Sequence, residues 1–163
     1  CTRRYAEEVA LPRIRDGLAA SGRDRAQIEI SGGGFVATGP DAAAVARMVE
    51  WVRMRIAFYG STPAYWPVLE LHGFGDLGRA LNALSKEGRW AEMAKAVPDD
   101  LVRLFAAVGT HAEIAAAVEA RFGGLTDAIY ASANSALPSD LPPDAIDDIR
   151  RIPTPFMGFA ARW

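Results

Sequence analysis

The residues able to do chemistry in this 163-residue chain are few, and their spacing excludes more than it supports. His72 and His111 are its two histidines, and neither has a second histidine or a carboxylate at a metal-sharing distance, so no zinc site is expected. Cys1 is the single cysteine, which rules out an internal disulfide and leaves no thiol nucleophile beyond the terminal one. Serines are plentiful, but no G-x-S-x-G elbow presents one. Gly32 to Gly34 stand before a helical stretch, where a phosphate loop would lie. No lysine follows them as a Walker loop requires, and "FVAT" separates them from the helix, which a dinucleotide fingerprint does not tolerate. They are expected to serve the strand, as a bulge or as a point of close approach for a neighbouring backbone or a ligand.

Two groups remain. In "AFYGSTPAYW", Tyr59, Tyr65 and Trp66 follow closely on Arg53 and Arg55. Such aromatics either form one wall of a pocket for a planar ligand or simply cover the bottom of the fold or a partner surface. Arg103, preceding "LFAAVGT", either places a cation near a phosphate at a strand end or is a solvated arginine on a helix surface.

The elements that must position these residues can be read from periodicity. Residues 2–21 have the pattern of a helix with Tyr5, Val9, Ile14 and Leu18 inward, bent or divided at Pro12. Residues 28–38 alternate as a strand. Pro40 and Asp41 start a helix whose stripe is Val45, Met48, Val49, Val52, Ile56 and Tyr59. Short helices punctuated by Gly73, Gly75 and Gly88 follow. Thr110 and Glu113 match a capping box, Ile114, Val118 and Phe122 form a buried stripe, and Gly123–Gly124 give a left-handed stop. "TDAIYAS" is a short apolar strand, and a helix around 143–152 groups Ile146, Ile149 and Ile152. The tail from 153 has no period and is expected to be an irregular covering segment. The alternation implies parallel strands joined by right-handed crossovers.

Composition bounds the rest. Half of the residues are hydrophobic, 23 % are charged and the net charge is −2, the profile of one soluble globular unit without a broad pull toward nucleic acid or anionic membrane. No apolar run approaches the ~20 residues that span a bilayer. A cytoplasmic location is expected, since the cysteine usage fits a reducing compartment. "CTRRYAEEVALP" opens without methionine and already in an amphipathic helix, which suggests a piece of a longer protein.

At "SGGGFVATGPDAAAVARMVEWVRMRIAFYGS", "LNALSKEGRWAEMAKAVPDDLV" and "VGTHAEIAAAVEARFGGLTDAIYAS", the chain resembles the bacterial luciferase-like monooxygenases, above all their branch that uses the deazaflavin coenzyme F420. The resemblance covers nearly the whole chain but only the C-terminal half of the family's domain. It implies an α/β fold, the helix-rich C-terminal part of a (β/α)8 TIM-type barrel, in which residues 1–163 form a single partial domain with a helical insertion at about 60–100. Residues 28–38, 104–109 and 126–132 then resemble strands six, seven and eight. The implied chemistry is hydride transfer between a reduced deazaflavin and an organic small molecule, with an FMN-dependent monooxygenase as the alternative. Arg103, Gly109 and Thr110 become candidates for the cofactor side, and Tyr59, Tyr65 and Trp66 for a roof over the substrate. No catalytic acid or base is carried over, because the strands usually nearest the ring precede this chain. A bare edge at strand six allows a further alternative, a non-catalytic half-barrel that associates with itself or with a partner supplying the missing half.

Overall fold

The computed structural model describes residues 1–32, 34–130, 141–156 and 158. Thr2 opens the first helix, its hydroxyl accepting the Tyr5 N–H at 3.2 Å. α1 (Arg3–Tyr5), a π-helical turn (Ala6–Ala10) and α2 (Leu11–Ser21) then run on without a break. The expected bend at Pro12 takes the form of that widened turn. Proline has no N–H to give the preceding turn, and its ring crowds the carbonyl one turn back. Gly22, at φ +66°, closes α2 as a left-handed cap.

The strand expected over 28–38 is divided into β1 (Ser31–Gly32) and β2 (Phe35–Gly39), with Gly33 outside the described residues. The reason lies in its two partners. β2 pairs in parallel with β3 (Ala106–Thr110), from Phe35↔Ala106 to Gly39↔Thr110. β1 pairs in parallel with β4 (Ala128–Ile129). The glycines permit close approach, as expected: a Cβ at Gly34 would lie 2.8 Å from the Phe122 ring, and one at Gly32 would lie 3.0 Å from Thr126.

α3 (Ala42–Gly60) starts one residue later than expected. Asp41 is its N-cap, accepting the Ala44 N–H at 2.7 Å, and Pro40 lies outside it. Val52 and Ile56 are buried and Met48 and Val49 pack beside them, whereas Tyr59 is 37 % exposed, so the stripe leaves the core in the last turn. Between α3 and β3 come a 3-10 turn (Pro63–Tyr65), α4 (Trp66–Leu71), α5 (Gly75–Lys86), α6 (Trp90–Ala96) and α7 (Asp99–Phe105). Leu81, Met93 and Leu101 seal these helices against α3.

β3 begins at Ala106, since Leu104 and Phe105 complete α7. α8 (Ile114–Phe122) buries Ile114, Val118 and Phe122, as the period requires. Of the two glycines behind it only Gly124 is left-handed, at φ +74°. Residues 131 and 132 of the expected last strand, and much of the tail, fall outside the described residues. α9 (Pro143–Arg150) ends two residues earlier than expected, but Ile149 and Ile152 still pack with its buried Ala145.

Successive residues of a strand face opposite sides, and here both sides are covered. Ala37 and Ala106 join the core built on α3, α5, α6 and α7. Val36 and Ala107 join a second core built on α8 and α9. A section of barrel wall would keep its helices on one side and place β4 beyond β3. Neither holds among the described residues: β4 lies against β1, and α8 covers the face that a barrel would turn to its lumen. The described residues form a helix-rich α/β arrangement, and the barrel closure that the resemblance implies is not seen among them.

Candidate functional site

Parallel α/β sheets hold ligands at the carboxyl ends of their strands, and here β2 and β3 end side by side at Gly39 and Thr110. Arg103, Gly109 and Thr110, the predicted cofactor-side residues, do meet along one groove of about 500 Å³ between α3 and α7. The groove is richer in carboxylates than in free cations. Arg53 is held by Glu50, at 3.1 Å, and by Asp99. The Glu113 carboxylate takes both the Thr110 N–H, at 2.9 Å, and the Thr110 hydroxyl, at 2.8 Å. These bonds, the backbone one first, hold the Glu113 carboxyl below the usual carboxylate range. The capping box is thus half formed: the carboxylate reaches back, but the threonine hydroxyl donates to it and caps no amide. Arg103 is exposed and makes no ion pair among the described residues.

The opposite face of the same strand ends differs. Thr38 stands in register with Gly109, is only 8 % exposed, and its Oγ1 has no hydrogen-bond partner. An unpaired buried hydroxyl costs about 1–3 kcal/mol. Such an atom is commonly satisfied by a ligand or by water. A phosphorylated flavin-type cofactor would meet two different surfaces at these strand ends. The α3/α7 groove, with Glu50, Asp99 and Glu113 on its walls, does not fit a phosphate. On the other face the Thr38 hydroxyl is sealed from the surface beneath the core built on α8, so a cofactor could reach it only if that cover moved.

The predicted aromatic group is placed elsewhere. α3 leaves the carboxyl end of β2 and runs back along the sheet, so its last turn lies at the amino ends of β2 and β3. There Tyr59 and Tyr65 stand edge to face, ring centres 5.6 Å apart, beside Phe35 and Phe105 at a hollow of about 560 Å³. Trp66 is not with them. Its indole Nε1 donates to the Gly60 carbonyl at 3.1 Å, and its ring packs so tightly on Gly78 that a Cβ there would lie 2.8 Å away. A five-residue strand, about 16 Å long at ~3.3 Å per residue, separates the two regions.

Sequence reasoning did not single out Thr38, nor Phe35, Phe105 and Tyr5, which join the tyrosines around the hollow. Period-2 alternation did mark Thr38 as a strand residue, but a hydroxyl's want of a partner has no signal in sequence. No group of three or more metal-ligating side chains occurs among the described residues, and none of their helices is long and apolar enough to cross a membrane.

Parallel strands joined by helical crossovers describe an α/β protein. The family model for luciferase-like monooxygenases matches residues 2–127, and the chain belongs to that family. Uncharacterized proteins of Mycobacterium tuberculosis (strain H37Rv) and Mycobacterium bovis are each 46 % identical to it over 128 residues, which is 78 % of this chain and 38 % of theirs. The chain therefore spans well under half the length of the curated relatives it matches.

Proposed function

We propose that this chain supplies the C-terminal strands and helices of an oxidoreductase that transfers hydride between reduced coenzyme F420 and an organic small molecule. The observation that carries the reading is the family match across residues 2–127. The reduced deazaflavin, when bound, supplies the hydride; this chain's own residues orient it and keep water away. Thr38 offers its unpaired hydroxyl to the cofactor edge, and Gly109 gives that edge backbone clearance. Arg103 stands at the rim, and Thr110 serves the cofactor only if Glu113 releases it. In this reading the chain is the C-terminal part of a (β/α)8 barrel whose remaining strands displace α8 from the Val36 face.

FMN is the second cofactor reading. Reduced FMN reacts readily with oxygen and the deazaflavin does not, so the two imply monooxygenation and plain hydride transfer respectively. The test is titration of the product of the complete coding sequence with F420 and with FMN, each followed by its own fluorescence. Tighter binding of F420, with anaerobic turnover, supports the first reading. Preference for FMN turns the assignment to the monooxygenase, and binding of neither refutes both.

A third reading, a non-catalytic partner-binding half, is favoured by the exposed rings of Phe58, Tyr59, Tyr65 and Trp90. Light scattering on the chain separates it from the others, because a monomer of 17.5 kDa at micromolar concentration rules out obligate association.

A further inference from the structure

The hollow at the amino ends of β2 and β3 is built unlike the groove at their carboxyl ends. No charged side chain lines it, and Cys1 completes its wall. Its walls are the rings of Tyr5, Phe35, Tyr59, Tyr65 and Phe105, with Val68 and Leu69 of α4 behind them. Three of the rings are already in aromatic contact, Phe35 to Tyr59 at 6.3 Å and Tyr59 to Tyr65 at 5.6 Å, so that part of the wall is positioned before anything binds. Three of the rings are tyrosines, and none of their hydroxyls hydrogen-bonds to protein among the described residues. Its size, about 560 Å³, lies in the range of small-molecule sites, ~300–1,000 Å³.

We propose that this hollow is a second binding site, for an uncharged, flat aromatic molecule carrying a hydrogen-bonding oxygen at its edge. The flat faces and edges of five aromatic rings suit a guest of their own kind, through offset-stacked and edge-to-face contact. A charged guest would lose its hydration and find no charged side chain in the lining to replace it. The unpaired phenols supply donors and acceptors for one peripheral oxygen. The site lies a strand's length from Thr38 and Gly109, and it stands whether or not the proposed cofactor is correct.

The experiment is titration of the product of the complete coding sequence with 2-naphthol, followed by the probe's fluorescence, with naphthalene-2-sulfonate as the charged counterpart. The expected result is saturable one-site binding below about 1 mM, with the sulfonate at least ~10-fold weaker. Ala64→Trp, on the exposed 3-10 turn at the rim, places an indole in the hollow and should weaken naphthol binding about 10-fold or more. Tyr65→Phe keeps the wall and removes one hydroxyl, with a loss of about 3- to 10-fold. Circular dichroism checks that each variant is folded; should Ala64→Trp fail that check, Tyr65→Phe and the sulfonate comparison decide. Failure to saturate by 1 mM, equal binding of the sulfonate, or a folded Ala64→Trp that binds like the parent overturns the proposal.

Discussion

Asp127 is the side chain through which the two ends of the described chain meet. One carboxylate oxygen accepts the Ile30 N–H at 2.7 Å and Arg25 at 2.7 Å; the other accepts the Thr154 hydroxyl and the Phe156 N–H at 3.3 Å. Burial alone would raise its pKa, but the bonds from Thr154, Ile30 and Arg25 outweigh burial and hold it below the usual value. A depressed folded pKa stabilises the fold above the unfolded value, ~3.9, and that contribution is lost as pH falls through the folded one. Asp127→Ala should cost about 3–5 kcal/mol in urea unfolding at pH 7. The gap between parent and Asp127→Ala should narrow as the pH is lowered below ~4; a gap that stays constant to pH 2 contradicts this account. Thr38 predicts the opposite sign. Thr38→Val removes an unpaired buried hydroxyl and should leave the chain more stable by about 1 kcal/mol, while weakening cofactor binding in the complete protein. Neither role was legible beforehand. "GLTDAIY" shows a carboxylate before a strand, but its four donors come from residues 25, 30, 154 and 156, and only folding brings them together.

The helices were the most legible elements, because a 3.6-residue period over several turns has few competing explanations. α3 is the clearest case, and it supports a direct test. Val52 is fully buried among Ile56, Leu81 and Met93. Val52→Asp puts an unpaired carboxylate there, at a cost of several kcal/mol. Soluble yield and the thermal midpoint should both fall sharply; a parent-like melt would mean that this stripe does not face the core. Strands were less legible because their limits are set by partners remote in sequence. Residues 28–38 carry one continuous pattern, yet β4 takes the beginning of it and β3 the end. Gly34, at the changeover, is held to its size by Phe122. Gly34→Ala should therefore cost about 1–3 kcal/mol through overpacking, and Phe122→Leu in the same chain should recover part of it. A double-mutant cycle reads this coupling, and strict additivity of the two changes would sink it.

At the scale of the whole molecule, the α/β class was legible from the alternation of strands and helices, whereas the way the sheet is covered was not. Val36 and Ala107 are apolar, and no pattern says whether strands, a lumen or α8 will lie over them. The same uncertainty bears on cofactor affinity. A barrel cofactor is gripped by loops from several strands, and this chain offers only the ends of β2 and β3 at its carboxyl side. There the Arg103 rim is open, but the Thr38 hydroxyl is buried and Thr110 is committed to Glu113. The loss of translational and rotational freedom on binding is incurred in full even when only some of the contacts remain. The 163-residue chain should therefore bind F420 or FMN no better than about 1 mM, near 4 kcal/mol, and turn over no substrate. Fluorescence titration checks this directly. A micromolar constant would place most of the cofactor site within these residues. In that event Glu113→Gln, which weakens the hold on Thr110 and removes a negative charge from the groove, should tighten binding further if the phosphate lies beside Gly109–Thr110, and leave it unchanged if the cofactor is held from the Thr38 face.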